Sequence, residues 1–225
     1  MRLAILGPPG AGKGTQATRL AARTGICHIS TGDALRNAVM SGTGTDLHAV
    51  VRRGSMAPDE LVAEIIESRI KRSECRKGYI LDGFPRTERQ LEMLKALTSR
   101  LSHRLDAALL LDAPEEELIR RIVGRLVCLR CRRSYHVEHA PPLVDGVCDT
   151  DGEPLTRRSD DTEEVARNRL RIYKRQTRPL IERYRAEGLL EEVGALGCPD
   201  KIEREINARL EKRALKGRYN GAGLH

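Results

Sequence analysis

A glycine-rich loop follows the first apolar segment of the chain and reads GPPGAGKGT from Gly7 to Thr15. Its glycines permit a tight turn in which backbone N–H groups point toward an anion, and a following helix adds partial positive charge at its N-terminus. Lys13 completes a G-x4-G-K spacing and would reach the outer phosphates of a nucleotide. This pattern predicts a phosphate cradle for phosphoryl transfer rather than a simple glycine-rich turn.

The loop departs from the general motif at Gly14, where Ser or Thr usually supplies a hydroxyl for magnesium. Thr15 could offer a hydroxyl, but we expect phosphates, waters and a carboxylate to hold the Mg²⁺. Asp82 ends the apolar run YIL and would lie beside the cradle in a parallel sheet. It is therefore the predicted carboxylate, acting through water, and the alternative is a solvated turn residue before Gly83.

Arginines supply most of the basic residues of a chain whose net charge is +8. Phosphoryl transfer needs two aligned nucleotides, exclusion of water and positive charge at the moving group, and the arginine fork binds phosphate oxygens in pairs. Arginines at ordinary helix-surface spacing, among them Arg19 and Arg23, are expected to be solvated. Others lie in glycine-rich or motif-like segments and are expected to converge with Lys13. They are Arg36, Arg86, Arg125, Arg158 and Arg169.

Three of the six cysteines cluster in one segment with little helical pattern. Cys128 and Cys131 form a C-x2-C pair, and Cys148 and Asp151 repeat that spacing further along. Two such turns present four ligands to one tetrahedral ion, and a carboxylate oxygen is an acceptable zinc ligand. We predict a structural Zn²⁺ that replaces hydrophobic core in a small lid; the alternative is three reduced cysteines without metal.

Other candidate ligands rank lower. His136 and His139 are rivals for the fourth position, but neither has the knuckle spacing. The remaining cysteines, Cys27, Cys75 and Cys198, are interpreted as ordinary reduced residues, because disulfides are unusual in a cytosolic chain.

The elements that must position these residues alternate between strands and helices, which predicts an α/β fold with a parallel sheet flanked by helices. Residues 30–59 interrupt the alternation as an inserted flap, and residues 124–161 as the zinc-stapled lid. The predicted core comprises residues 1–29, 60–123 and 162–215, followed by a frayed tail at 216–225. The predicted strands are 2–6, 27–29, 79–81, 107–111 and 189–193, and the predicted helices are 13–24, 34–40, 58–71, 88–97, 114–122 and 162–187.

Composition narrows the class of protein. The 225 residues, 40 % of them apolar, suit one α/β core with insertions. No apolar run approaches the roughly 20 residues of a membrane span, and the opening MRLAILG lacks the long apolar stretch of a secretory signal. We expect a cytoplasmic protein without a membrane partner. A zinc-ribbon nucleic-acid binder is the alternative from another class, but the lid offers only Tyr135 for base stacking.

Several motifs in fixed order resemble those of adenylate kinases. They are GPPGAGKGTQA, ISTGDALR (29–36), LDGFPRTERQ (81–90), VGRLV (123–127) and TRRSDD followed by RNRL (156–170). The resemblance covers the chain to about Leu210 and implies a P-loop NTPase-type sheet, ATP + AMP ⇌ 2 ADP with Mg²⁺, closure of flap and lid, and a monomer that binds no nucleic acid. Thr31 marks AMP specificity in this family, which argues against the alternative of a UMP/CMP kinase.

The resemblance also implies a role for each matching residue. Arg158 and Arg169 would bridge both nucleotides, and Asp160 and Asp161 would position them and help close the lid. Leu126 stands where the family often has a second lid arginine. The implied catalytic set is Lys13, Arg86, Arg125, Arg158, Arg169, Asp160 and Asp161. The implied ATP contacts are Gly10, Ala11, Gly12, Lys13, Gly14, Thr15, Arg125, Ser134, Tyr135 and Gly197. The implied AMP contacts are Thr31, Arg36, Ser55, Met56, Ala57, Gly83, Phe84, Pro85, Arg86, Gln90, Arg158 and Arg169, with Gln90 reading the adenine.

Overall fold

The computed structural model describes residues 1–40, 49–50 and 53–221, so parts of the predicted flap and tail lie outside it. The strands are β1 (Arg2–Leu6), β2 (Cys27–Ser30), β3 (Tyr79–Asp82), β4 (Ala107–Asp112), β5 (Arg125–Cys128), β6 (Ser134–His136), β7 (Leu155–Thr156) and β8 (Leu190–Gly194). Five of them form a parallel sheet in the order β2-β3-β1-β4-β8. The predicted parallel α/β core is confirmed.

Helices cover the sheet on both faces, and side chains of one strand alternate between two apolar clusters. Leu109 and Leu111 pack with Ile202 on one face, whereas Leu110 packs with Leu180 on the other. Both faces of β4 are therefore buried, as expected for a parallel strand. The helices are α1 (Lys13–Thr24), α2 (Thr31–Met40), α3 (Asp59–Ile70), α4 (Glu88–Arg100), α5 (Glu115–Val123), α6 (Glu163–Ile172), α7 (Pro179–Ala186) and α8 (Pro199–Gly221).

The single helix predicted over residues 162–187 is divided into α6 and α7. A π-helical turn, Tyr173–Thr177, separates them, and the Arg178 N–H donates to the Tyr173 carbonyl at 2.9 Å. Pro179 begins α7 because it has no N–H to donate and cannot continue a regular helix from α6.

Helix α8 is absent from the predicted elements, although Ile202, Ile206 and Leu210 recur at helical spacing and are buried against the core. It continues beyond Leu215, into the segment predicted to be a frayed tail, and ends at Gly221. Residues 222–225 lie outside the described part of the chain.

Two arginines that were expected to be solvated instead join α1 to α8. Arg19 contacts Asp200 and donates to Glu203 at 2.9 Å. Arg23 contacts Asn207. The sequence pattern identified their exposed helix face but not the neighbouring helix that supplies their partners.

A disulfide joins Cys27 in β2 to Cys75 in a short turn before β3, which corrects the interpretation of both as reduced cysteines. Their Cα atoms are 4.9 Å apart, because the parallel pairing of β2 with β3 brings together residues that are remote in sequence. Cys198 is a free, exposed cysteine.

The lid segment contains its own sheet. Strand β5 pairs antiparallel with both β6 and β7, and Tyr135, Cys128 and Cys148 form its small buried cluster. Within the described ranges, no helix is both long and apolar enough to cross a bilayer.

Candidate active site and lid metal site

The glycine-rich loop connects the central strand β1 to α1 and wraps close to neighbouring backbone. Gly7 has φ +139°, and a Cβ added there would lie 2.2 Å from the Leu111 carbonyl oxygen. At Gly10, with φ +87°, an added Cβ would lie 2.5 Å from the Leu118 carbonyl oxygen. Only glycine fits such positive φ values and approaches, so the tight turn predicted from the sequence is present. Gly12 caps α1 with φ +83°.

Lys13 folds back over the loop. Its Nζ donates to the carbonyl oxygens of Gly7 and Pro8, each at 2.8 Å. Desolvation by the surrounding protein lowers the pKa of Lys13 to about 7, and the charges of Arg86 and Arg169 contribute, against an opposing effect of Asp82. Lys13 thus lies among other cations in a desolvated site, and an anion bound there would raise its pKa and favour its charged form.

Asp82 lies beside the cradle, as predicted. It ends β3, pairs in register with Ile5 of β1, and its Oδ2 would be 3.3 Å from a Cβ added to Gly14. Burial favours protonation, but His28, whose Nε2 lies 3.4 Å from Asp82 Oδ2, and the charge of Lys13 outweigh it and lower the pKa of Asp82. The carboxylate is therefore ionised and able to hold a hydrated cation.

His28 is a residue that the motifs do not reveal. It lies on β2, and its Nδ1 is 3.3 Å from the Thr18 hydroxyl of α1. Its ring thus links Thr18 to Asp82 behind the cradle. The feature of the sequence that could have indicated His28 is its polar side chain within the short strand that follows α1.

Thr31 and Arg86 meet at the carboxyl ends of β2 and β3. The Thr31 hydroxyl donates to the Asp82 carbonyl at 3.0 Å, and Arg86 Nε donates to the Gly83 carbonyl at 2.9 Å. The Thr177 hydroxyl, from the π-helical turn, donates to the Arg86 carbonyl at 2.9 Å. Ligands of open α/β sheets bind at such carboxyl ends.

Gln90 is almost fully buried in the first turn of α4. The backbone N–H of Arg86 donates to Gln90 Oε1, and Gln90 Nε2 donates to Asp59 Oδ1, each at 2.7 Å. Asp59, at the start of α3, is a second residue that sequence motifs do not reveal.

The lid arginine and the arginine of α6 share a pair of buried carboxylates. Arg125 contacts both oxygens of Asp161, and its Nε donates to Oδ2 at 2.7 Å. Arg169 Nη1 donates to Asp160 at 3.1 Å and lies 3.9 Å from Asp161. Desolvation, with the charges of Arg125 and Arg86, lowers the pKa of Arg169 to about 10.

Arg36 and Arg158 form the other half of the arginine cluster. Arg36 Nη2 donates to Asp33 Oδ1 at 2.5 Å. Desolvation, with the charges of Arg125 and Arg36, lowers the pKa of Arg158 to about 10. The structure therefore brings the predicted arginines together, and their cationic charge exceeds what the nearby carboxylates balance.

A cavity lies beside the cradle, and Arg86 and Arg169 of the arginine cluster line it. Met56 lines it from the flap side, and Ala57 is buried in the apolar cluster below. Ser55 is exposed, and its N–H donates to the Val50 carbonyl at 3.0 Å. Residues from the cradle, the flap, the loop after β3 and α6 share the lining, among them Gly7, Lys13, Gly54, Pro85, Arg86 and Arg169.

Three expected ATP contacts lie apart from this cluster. Ser134 is exposed on β6. The Tyr135 side chain is turned into the lid, where its hydroxyl accepts from the Asp149 N–H at 2.8 Å and lies 3.4 Å from Cys148 Sγ. Gly197, with φ +109°, lies in the loop between β8 and α8.

The four predicted metal ligands form one group in the lid. Ligand atoms of Cys128, Cys131, Cys148 and Asp151 all lie within 4.8 Å of one another. Cys131 Sγ is 3.5 Å from Cys148 Sγ, and Cys128 Sγ is 3.3 Å from Asp151 Oδ2. Three thiols and a carboxylate at this separation fit a tetrahedral Zn²⁺, whose Zn–S bonds of about 2.3 Å place ligands under about 4 Å apart.

The rival histidines lie outside that group. His136 Nδ1 accepts from the backbone N–H groups of Glu138 and His139, at 3.0 and 3.1 Å. His139 Nε2 lies 3.5 Å from Glu117 of α5. Both therefore contact the base of the lid instead of the cysteines.

Comparison with known proteins identifies the family. The adenylate kinase family model matches residues 5–189. The chain belongs to the adenylate kinase family. It is 46 % identical to the adenylate kinase of Thermodesulfovibrio yellowstonii over 95 % of this chain and all of that one. It is 45 % identical to the adenylate kinases of Archaeoglobus fulgidus, over 94 % of this chain and 99 % of that one, and of Methanosarcina barkeri, over 95 % and 100 %.

An adenylate kinase catalyses ATP + AMP ⇌ 2 ADP and uses Mg²⁺ with ATP, so the predicted reaction is confirmed and the UMP/CMP kinase alternative is disfavoured. The family assignment also disfavours the alternative that the chain is a zinc-ribbon protein whose main function is to bind nucleic acid.

Proposed function

We propose that the cradle from Gly10 to Thr15 holds the phosphates of ATP and that AMP binds opposite it. On the acceptor side, Thr31, Gln90 and the flap residues would surround the nucleoside, and Arg36 and Arg86 its phosphate. The observation that supports this arrangement is charge: Lys13 lies close enough to Arg86, Arg125 and Arg169 for each to lower its pKa. Cations from separate elements are held together around one cavity, which suits a ligand with several phosphates.

The proposed roles follow from the reaction. An oxygen of the AMP phosphate attacks the γ-phosphorus of ATP, and the bond from that phosphorus to the bridging oxygen breaks to leave ADP on each side. Negative charge moves between the two nucleotides, so Arg169 in the cavity wall and Arg158 in the lid segment would stabilise it from both sides. Asp160 would orient the guanidinium of Arg169, and Asp161 would orient that of Arg125. Closure of the flap and lid would exclude water.

Asp82 is the proposed residue that holds Mg²⁺, through water, and the ion would neutralise charge on the phosphates. The thiols of Cys128, Cys131 and Cys148 and the Asp151 carboxylate would hold a structural Zn²⁺. Its place in the lid would be to stabilise a segment whose buried apolar cluster is small. A cytoplasmic location, a monomeric state and the lack of a nucleic-acid partner stay predictions from the sequence.

A charge-conserving substitution tests the arginine roles. We expect Arg169→Lys to lower kcat about 100-fold, because lysine keeps the charge but loses the planar fork. Arg171→Lys, on the exposed side of the same helix, serves as the matched control and should retain the parent kcat in a coupled ADP assay. An Arg169→Lys enzyme with unchanged kcat would contradict the proposed role.

A further inference from the structure

Gln90 has one hydrogen-bonding partner at each end of its side-chain amide. The Arg86 backbone N–H, which can only donate, faces Oε1, and the Asp59 carboxylate, which as an anion only accepts, faces Nε2. Exchanging the amide oxygen and nitrogen would set two donors against each other at Arg86 and two acceptors at Asp59. The two neighbours therefore fix the amide in one of its two orientations.

The fixed orientation has a consequence for the base that the amide can read. Each amide atom has capacity for a second hydrogen bond, so one N–H and one oxygen lone pair of Gln90 are left by these two partners. Adenine presents an acceptor, N1, beside a donor, the 6-amino group; a 6-oxopurine presents a donor, N1–H, beside an acceptor, O6. Amide N–H and oxygen at fixed positions pair with one of these edges and oppose the other.

We propose that Asp59 is a positioning residue for base selectivity: by holding the Gln90 amide in one orientation, it favours 6-aminopurine over 6-oxopurine nucleotides in the acceptor site. The inference rests on the proposed function, in which Gln90 faces the AMP base. Asp59 acts through Gln90 and needs no contact with the nucleotide.

The surroundings of Asp59 support this role. Its second oxygen, Oδ2, accepts from the Thr87 hydroxyl at 2.9 Å, and Thr87 Oγ1 in turn accepts from the Gln90 backbone N–H at 3.1 Å. Thr87 is the N-cap of α4, so the side chain and backbone of Gln90 are tied to the same carboxylate. The positive N-terminal end of α3 also favours a negative charge at Asp59.

The geometry further makes Asp59 a link between two parts of the acceptor site. It lies at the base of the predicted flap, where α3 begins, whereas Gln90 belongs to the core helix α4. The amide is thus held in part by an element other than its own helix α4.

The experiment compares AMP with inosine monophosphate, which differs at the 6-position and N1, in the full-length enzyme with saturating Mg-ATP. The readout is the ratio of kcat/KM for the two acceptors, with the inhibition constant of inosine monophosphate where its turnover is slow.

In Asp59→Asn, the neutral amide can donate as well as accept, so one of the two orientation constraints is lost while Arg86 N–H remains. We expect the AMP preference to fall about tenfold and the KM for ATP to stay unchanged.

The control is Glu60→Gln, which removes an equal charge from the same helix turn. The Glu60 side chain contacts the exposed Arg89 and not Gln90. The Glu60→Gln enzyme should retain the parent ratio. Asp59→Glu, which keeps an acceptor-only carboxylate, should recover most of the preference. Thermal unfolding of each variant distinguishes a role in base selectivity from a merely structural role. If Asp59→Asn lowers Tm but leaves the ratio of the two kcat/KM values unchanged, the proposal is overturned.

Gln90→Leu separates failure of this inference from failure of the proposed function. If Gln90→Leu leaves the AMP preference intact, Gln90 does not read the base and both fail. If Gln90→Leu abolishes the preference and Asp59→Asn does not change it, the acceptor site stands and only the role of Asp59 is overturned.

Discussion

The guanidinium of Arg125 donates hydrogen bonds to both carboxylate oxygens of Asp161, and the Asp161 side chain has no exposed surface. Arg125 begins the lid sheet, and Asp161 immediately precedes the Thr162 cap of α6. The ion pair therefore closes the lid segment on itself at the point where its two ends return to the core. Arg169, 3.9 Å from the same carboxylate, adds a core arginine to the group.

Asp161→Asn should lower kcat at least about tenfold, because Arg125 loses the charged partner that sets its direction toward the phosphates. The KM for AMP should change less than kcat. Steady-state kinetics with ATP and AMP measures both. Glu163→Gln is the control, since Glu163 pairs with exposed Arg167 on α6 and should leave kcat unchanged. Equal kcat in the two variants would refute the positioning role.

Removal of one lid thiol should remove the metal. We expect the purified enzyme to contain about one Zn²⁺ per chain by elemental analysis and Cys148→Ala to contain almost none, since three ligands bind zinc far more weakly than four. Limited proteolysis of Cys148→Ala should begin within residues 124–161. Cys198→Ala, which alters a free cysteine outside the cluster, should keep both metal and resistance. Parent enzyme without metal would contradict the zinc proposal.

The parallel core could be predicted because its strands are short apolar runs separated by helical spacing, and the cradle because glycine and lysine recur at a diagnostic spacing. Local pattern does not report which distant surfaces meet. The Cys27–Cys75 disulfide, the contacts of Arg19 with α8, and Asp59 beside Gln90 all join segments that are remote in sequence. These are consequences of tertiary packing.

The helix predicted over residues 162–187 is divided into α6 and α7 by a local feature of the sequence. Leu170 before Pro179 and Leu180, Ile181 and Tyr184 after it favour a helix on both sides, but residues 174–178 between them are all polar or charged. The helix yields at the π-helical turn, and Thr177 of that turn holds the Arg86 carbonyl. The interruption therefore serves the site, as π-helical turns often do.

The stability of the nucleotide-free enzyme should rise with pH through Lys13. Its folded pKa, about 7, lies below the model-compound value of 10.5, so between these values the unfolded chain binds more protons than the folded one. The Lys13 contribution to the free energy of unfolding then increases with pH, by on the order of 2 kcal/mol between pH 7 and 9. Urea unfolding of the parent and Lys13→Met enzymes at both pH values isolates this contribution.

For the same measurement, Lys71→Met is the matched control, because Lys71 is exposed and pairs with Glu67 at the end of α3. Its difference from the parent should be nearly independent of pH. A parent-minus-Lys13→Met difference that stays constant from pH 7 to 9 would mean that the cradle does not depress the pKa of Lys13.

A hydrogen bond joins the lid to the flap side of the site: Arg132 Nη2 donates to Asn37 Oδ1 of α2 at 2.9 Å. Arg132 directly follows Cys131 and has a left-handed backbone conformation, with φ +65°. Arg132→Ala should favour lid opening, raising the KM for AMP about two- to fivefold, as expected for one exposed hydrogen bond. Because lid opening limits turnover in many such enzymes, kcat should rise or stay constant.

Arg130→Ala provides the comparison, since Arg130 occupies the same knuckle but pairs with Glu153 inside the lid. Fluorescence energy transfer between dyes on lid and core should show a larger open population for Arg132→Ala than for Arg130→Ala under saturating nucleotide. If the two variants have equal open populations and equal KM values, the Arg132–Asn37 bond contributes nothing to lid closure.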